Sequence, residues 1–163
     1  MKIVIDVQGC QSEGSRCRGI GRYTQSLVKS LINNHPECEY ILFANAALYD
    51  LTEDFSFELS NSKFNVDYYK WYSPGPFNDD FSIVNSRRWL AIQLRSYCLQ
   101  IIQPDIVLIT SFFEGFVDNC VTEFNHSLNL PPIVSILYDL IPLINTSSYL
   151  SSKEINSFYF HQI

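Results

Sequence analysis

The chain has 163 residues, 47% of them hydrophobic and 17% charged, which is enough to bury one substantial core and too apolar for a disordered segment. Its net charge of −6 excludes a general nucleic-acid binder, which needs a broad basic surface. Five scattered cysteines without a CxxC pair fit neither a disulfide framework nor a zinc site, and read as free thiols in a reducing cytoplasm.

The opening run Ile3 to Val7 is short, apolar and followed by a polar, glycine-bearing loop, which predicts a buried strand. Asp6 interrupts what would be the apolar region of a signal peptide, so the start does not read as a secretion signal. From Ile20 the period becomes helical, through Tyr23, Leu27, Val28, Leu31 and Ile32, until Pro36 ends it. Residues 40–44 and 65–69 predict further strands, and Pro74-Gly75-Pro76 marks a loop. Trp89, Leu90, Leu94, Tyr97, Cys98 and Ile101 then form the apolar stripe of a second helix, closed by Pro104. Residues 105–110 and 133–138 are strongly apolar strands, expected with 3–7 at the centre of the sheet. A last helix begins near Ser151, with Ile155, Phe158 and Tyr159 on one side, and the sequence stops inside it.

Strands alternating with helices imply an α/β fold, a Rossmann-like three-layer domain with a mainly parallel sheet. No stretch reaches the ~20 apolar residues of a membrane span, so the protein is soluble or at most lies on a membrane surface. An end inside an aromatic helix points to a truncated piece, whose uncovered apolar surface should drive self-association through that helix.

In such a sheet, ligands bind beyond the carboxyl ends of the strands. Three loops stand there: Gln8 to Arg22, Ser111 to Gly115, and Asp139 to Pro142. Gly19 and Gly21 open a helix, where free amides and the helix dipole favour an anion, and Arg16, Arg18 and Arg22 crowd the same turn. A diphosphate suits that turn; equally, the glycines only permit a tight bend and the arginines are solvated. Glu114 and Asp139 are carboxylates at strand ends, able to accept hydrogen bonds from sugar hydroxyls or to take a proton, or simply to cap the next turn. Thr24 replaces the third glycine of a dinucleotide fingerprint, and no GxxxxGK[ST], GxSxG or HExxH pattern occurs. His35, His126 and His161 share no catalytic spacing. Tyr68 to Tyr72 and Arg87-Arg88-Trp89 read either as strand and packing residues or as a contact with a bilayer or a lipid-linked substrate.

Taken in order, these segments resemble the N-terminal domain of a family 4 glycosyltransferase of GT-B fold, most of all the bacterial, mannosyltransferase-like members that build surface polysaccharides. Residues 3–7 with Arg18-Gly19-Ile20-Gly21-Arg22-Tyr23 resemble the opening strand and GIGRY turn. Leu94-Arg95, Pro104-Asp105 and Ser111-Phe112-Phe113-Glu114-Gly115 resemble the LR…PD…SxFEG block, and Tyr138 to Leu143 with Tyr149-Leu150 the HDLIPL…YL block. The resemblance implies two Rossmann-like domains about a cleft, with residues 1–163 on the acceptor side and a donor-binding C-terminal domain absent from the sequence. It implies retaining transfer of a hexose from a nucleotide sugar to a glycan or lipid-linked acceptor, without a metal or other cofactor, in the cytoplasm or at the inner face of the membrane. It places Gly19, Gly21 and Arg22 at the donor phosphates, Asp139 beside the transferred sugar, and Arg18, Ser111, Glu114, Gly115 and Tyr138 along the acceptor-side cleft. The sequence departs at Tyr138, where many members carry His. A different class also fits the pattern of elements, namely a non-catalytic flavodoxin-like or nucleotide-binding module.

Overall fold

The computed structural model describes residues 1–76, 86–116, 118–138 and 141–162. Five parallel strands, β1 (Lys2–Asp6), β2 (Glu39–Asn45), β3 (Asn65–Trp71), β4 (Ile106–Ile109) and β5 (Ile133–Ser135), form one sheet in the order β3-β2-β1-β4-β5. The longer connecting helices are α2 (Gly19–Asn34) and α4 (Ser86–Ile102). Two short helices, α1 (Gln8–Gln11) and α3 (Ser56–Ser60), sit in the loops after β1 and β2, and α5 (Ile141–Ile144), α6 (Thr146–Tyr149) and α7 (Lys153–Gln162) follow β5. The α/β, Rossmann-like reading of the sequence therefore holds.

Alternation along the strands divides the core in two. Ile5, Tyr40, Leu42 and Ala44 face α2, where Val28 and Ile32 meet them. Val4, Ile41, Phe43, Val107 and Ile109 face α4, where Ala91 and Leu99 meet them. On that second side Phe43 lies against Tyr69 and Trp71, with ring centroids 5.7 and 6.0 Å away. The Tyr68–Tyr72 run is thus mostly strand and packing: Trp71 is buried, and Tyr68 Oη accepts from the Leu51 amide. The α2 C-terminus is closed by Tyr40, whose hydroxyl lies within hydrogen-bond reach of the carbonyls of Leu31 and His35.

Two expectations need correction. The stripe predicted to bury α4 points mostly outward: Trp89, Leu90, Leu94, Tyr97 and Ile101 are all exposed, and Cys98 is half-buried against the core. The helix instead turns Arg88, Ala91, Arg95, Ser96 and Leu99 to the sheet, because Arg95 and Arg88 find carboxylates there and the small Ala91 and Ser96 allow close approach. The second concerns residues 133–138. Only Ile133–Ser135 are strand, and they form the sheet edge, exposed along their whole length. Among the described residues, no helix packs over this strand; α7 instead reaches back to the loop after β4. There Tyr159 stacks on Phe113 at 4.7 Å and Phe158 meets Phe116 at 5.4 Å. The last helix is therefore seated on its own domain, while the next residue, Phe160, turns outward.

Candidate functional site

The strand order reverses direction between β1 and β4, the switch point where open α/β sheets form their ligand crevice. The loops following these two strands are tied to each other from below by a buried polar network. Asp6, the last residue of β1, accepts from Arg95 Nη2 at 2.5 Å, and both side chains are essentially sealed from water. The other fork nitrogen of Arg95 donates to the carbonyls of Thr122 and Glu123, and its guanidinium lies 4.1 Å from the centre of the Phe124 ring. Gln8 completes the network: its amide and side-chain nitrogen donate to Asp6, and its side chain bonds both backbone groups of Val121. Gln11 extends the β2 ladder by one rung, accepting from the Asn45 amide and donating to its carbonyl. Every residue of α1 is buried.

Above this floor the chain turns through Ser12 to Arg18 into α2. The carbonyl of Ser15 accepts from the amides of both Arg18 and Gly21. A Cβ on Gly21 would lie 2.4 Å from the carbonyl oxygen of Arg16, so glycine is required to build the turn. The room foreseen at Gly21 for a diphosphate is therefore already filled by backbone. Gly19 differs: a Cβ there would meet nothing within 4 Å. Arg18, the N-cap, makes no side-chain cap, and among the described residues the amides of Gly19 and Ile20 have no partner. Arg18 and Arg22 are exposed and, among the described residues, their side chains bond to nothing. A helix start with two open amides and two unpaired guanidinium groups has the chemistry to receive an anion.

The loop after β4 forms the neighbouring wall. Glu114 is buried, and its Oε1 accepts from the hydroxyls of Ser15 and Ser111, each at 2.7 Å. It staples the β1 loop to the β4 loop instead of presenting its carboxylate to solvent, so the idea that it meets a sugar directly is corrected. Burial pushes its pKa upward, Asp118 adds to the rise, and the serine hydroxyls pull it back. Gly115 adopts φ +99, where a Cβ would also strike the carbonyl of Cys120 at 2.4 Å. Tyr138, following β5, reaches the other flank of α2. Its hydroxyl lies 3.1 Å from Thr24 Oγ1, and its ring meets Tyr23 edge-on at 5.6 Å. Asp139 lies outside the described residues.

The fold thus brings Gly19, Gly21, Arg22, Arg18, Ser111, Glu114, Gly115 and Tyr138 to the carboxyl-end edge of the sheet. It separates them into a surface set (Gly19, Arg18, Arg22), a flanking Tyr138 and a buried scaffold. Sequence reasoning missed Asp6, Gln8, Gln11 and Ser15 as parts of that scaffold. The signal was present in two glutamines three residues apart directly after a strand, the spacing of one helix face. Cys10 and Cys120 are not candidate nucleophiles: burial first, then nearby carboxylates, push Cys10 up to about 12 and hold Cys120 well above the ordinary range. His35 and His126 are exposed, away from this edge. Among the described residues, no cluster of His, Cys, Asp and Glu is arranged to hold a metal ion, and no helix is long and apolar enough to cross a membrane.

Along its whole length the chain aligns with the serotype-specific mannosyltransferase WbdA of Escherichia coli, at 32% identity over 165 residues. It is a homologue of a bacterial mannosyltransferase. Two further matches to proteins of the same name and organism cover 42% of the chain, at 36% and 32% identity. The chain spans 19% of the length of the relative it matches throughout, and 8% of the other two. No family model matches it. No solved structure matches it significantly.

Proposed function

We propose that this chain forms the acceptor-side domain of a two-domain, retaining glycosyltransferase. The enzyme moves a hexose from a nucleotide sugar to a glycan or lipid-linked acceptor in surface polysaccharide synthesis, without a metal, in the cytoplasm or at the inner face of the membrane. The observation that carries the reading is the start of α2: open amides at Gly19 and Ile20 with unpaired Arg18 and Arg22, at the switch point of a parallel sheet, in a mannosyltransferase homologue. In this role the amides and guanidinium groups receive the donor diphosphate, which gains negative charge as the glycosidic bond breaks. Gly21 shapes the turn that aims them. Asp139 acts beside the transferred sugar, and Tyr138 and the Ser111–Gly115 loop frame the cleft. A second domain supplies the nucleotide pocket.

Self-association belongs in this proposal with a changed surface. Leu90, Leu94, Tyr97 and Ile101 alternate spacings of four and three on the exposed side of α4, the seam of a helix pair. No charged residue lies between Trp89 and Ile101 on that side, so a second copy meets no like charge.

The test of the activity is a screen of the intact protein against a panel of nucleotide sugars, with Gly19→Val and Arg22→Ala beside the wild type. Because Gly19 has open space around it, Gly19→Val should fold and still lose about 100-fold in turnover. Full turnover in a folded Gly19→Val enzyme would remove the diphosphate role, and consumption of no nucleotide sugar by the wild type would remove the function.

A further inference from the structure

On the opposite flank of α2 from Tyr138, a cavity of about 370 Å³ opens between the Arg16–Gly21 turn and the loop that follows β2. Gly21 and Gln25, one turn apart on α2, face it from one side; Tyr49, Leu51 and Asp54 face it from the other, with Arg16 and Cys17 at its walls. Its size is at the small end of ligand clefts, roughly 300–1,000 Å³, which suits one sugar unit better than a nucleotide.

The polar groups in it are unevenly satisfied. Gln25 Nε2 donates to Asp54 Oδ1 at 2.9 Å. Asp54 Oδ2, by contrast, is shut off from bulk water and has no hydrogen-bond partner among the described residues. A buried carboxylate oxygen without a donor is costly, and Asp54 is one of the residues that line the cavity. Across from it, the Arg16 guanidinium lies 4.7 Å over the Tyr49 ring, which leaves its edge N–H groups to donate. Leu51 contributes apolar surface.

We infer that this cavity is a subsite for one neutral hexopyranose unit of the acceptor, with Asp54 accepting from a ring hydroxyl and Arg16 and Gln25 as the complementary polar groups. A sugar ring offers hydroxyl donors and acceptors around its edge and C–H surface on its faces, and the cavity presents a counterpart to each. A phosphate would be repelled by Asp54, which separates this site from the open amides at Gly19. Gly21 is on its wall and Gly19 is two residues away, so a sugar held here lies beside the turn assigned to the donor. The inference rests on the glycosyltransferase reading for its choice of ligand.

The experiment uses methyl α-D-mannopyranoside as probe and the intact protein in saturation-transfer NMR, with Asp54→Ala and Cys17→Trp as variants. Cys17 is exposed at the rim, so an indole there blocks the cavity without disturbing the core. Circular dichroism on the same preparations checks folding. The wild type should bind the probe weakly, and both variants should weaken it by about tenfold, the loss of a hydrogen bond to a charged group. In transfer assays the same variants should raise the acceptor KM with donor KM and kcat held. No binding of the probe at tens of millimolar, or equal binding by folded variants, overturns the subsite even if nucleotide sugars are consumed. Probe binding lost in both variants, with no nucleotide sugar consumed by the wild type, supports the cavity as a sugar site and overturns the transferase reading alone.

Discussion

Replacing Arg95 by Met should be among the most damaging single changes in this fold. The Asp6–Arg95 pair lies beneath the switch point, with side-chain exposures of 2% and 0%. Methionine keeps the length and apolar bulk of the stem but withdraws the fork that serves Asp6, the Thr122 carbonyl and the Glu123 carbonyl. The Asp6 carboxylate would remain buried, and among the described residues only Gln8 would donate to it, through its amide and side chain. Breaking a buried pair from one side costs about 3–5 kcal/mol, roughly a fifth or more of the 5–15 kcal/mol that holds a typical domain folded. Replacing both charges is far milder, so Asp6→Asn combined with Arg95→Met should lose only roughly 0–2 kcal/mol. Urea unfolding followed by tryptophan fluorescence is suited to the measurement. Trp71 is 2% exposed in the core beside Phe43, whereas Trp89 is 59% exposed and contributes a nearly constant background. A loss below ~1 kcal/mol for Arg95→Met, or a double variant no better than the single one, would refute the account of this pair as a mutually dependent buried unit.

Three further outcomes follow from the geometry. Glu114 has a folded pKa raised by burial, so the folded state holds its proton more tightly than the unfolded chain, and its contribution to stability falls as pH rises above the unfolded carboxyl value. Glu114→Gln keeps an oxygen for Ser15 and Ser111 and removes the titration, so its melting temperature relative to wild type should climb between pH 4.5 and pH 8; parallel curves would contradict this. Gly21→Ala, with its Cβ driven into the Arg16 backbone, should cost about 1–3 kcal/mol in chemical denaturation, while Gly19→Ala should stay within about 0.5 kcal/mol. Leu94→Glu should shift sedimentation toward the monomer without altering the circular dichroism, because the residue is already exposed; a wild type that sediments as a monomer at high concentration would remove the α4 pairing.

The sequence by itself determined the parallel α/β layout and the sheet edge where the loops of the candidate site meet. Apolar runs at 3–7 and 105–110, and helical spacing from Ile20, report local burial directly, because a strand covered on both faces must be apolar throughout. It also placed Gly19, Arg18 and Arg22 at a helix start, since a glycine turn after a strand is legible in one dimension. What it could not show was which glycine is free. Gly19 and Gly21 look alike in the string, and only the path of Arg16 makes one a structural necessity and the other open space. Glu114 and Asp54 were likewise undecidable: the same residue type is a staple where two serine hydroxyls reach it and a candidate ligand group where one oxygen has none. On α4 the periodicity gave the face and the tertiary structure reversed its direction. The pattern of apolar residues identifies a stripe but not what it meets, and two arginines with buried carboxylate partners, Asp6 and Glu123, outweighed it. The edge position of β5 was hidden for the same reason: an apolar strand predicts that something covers it, and only strand order tells whether a neighbour is there.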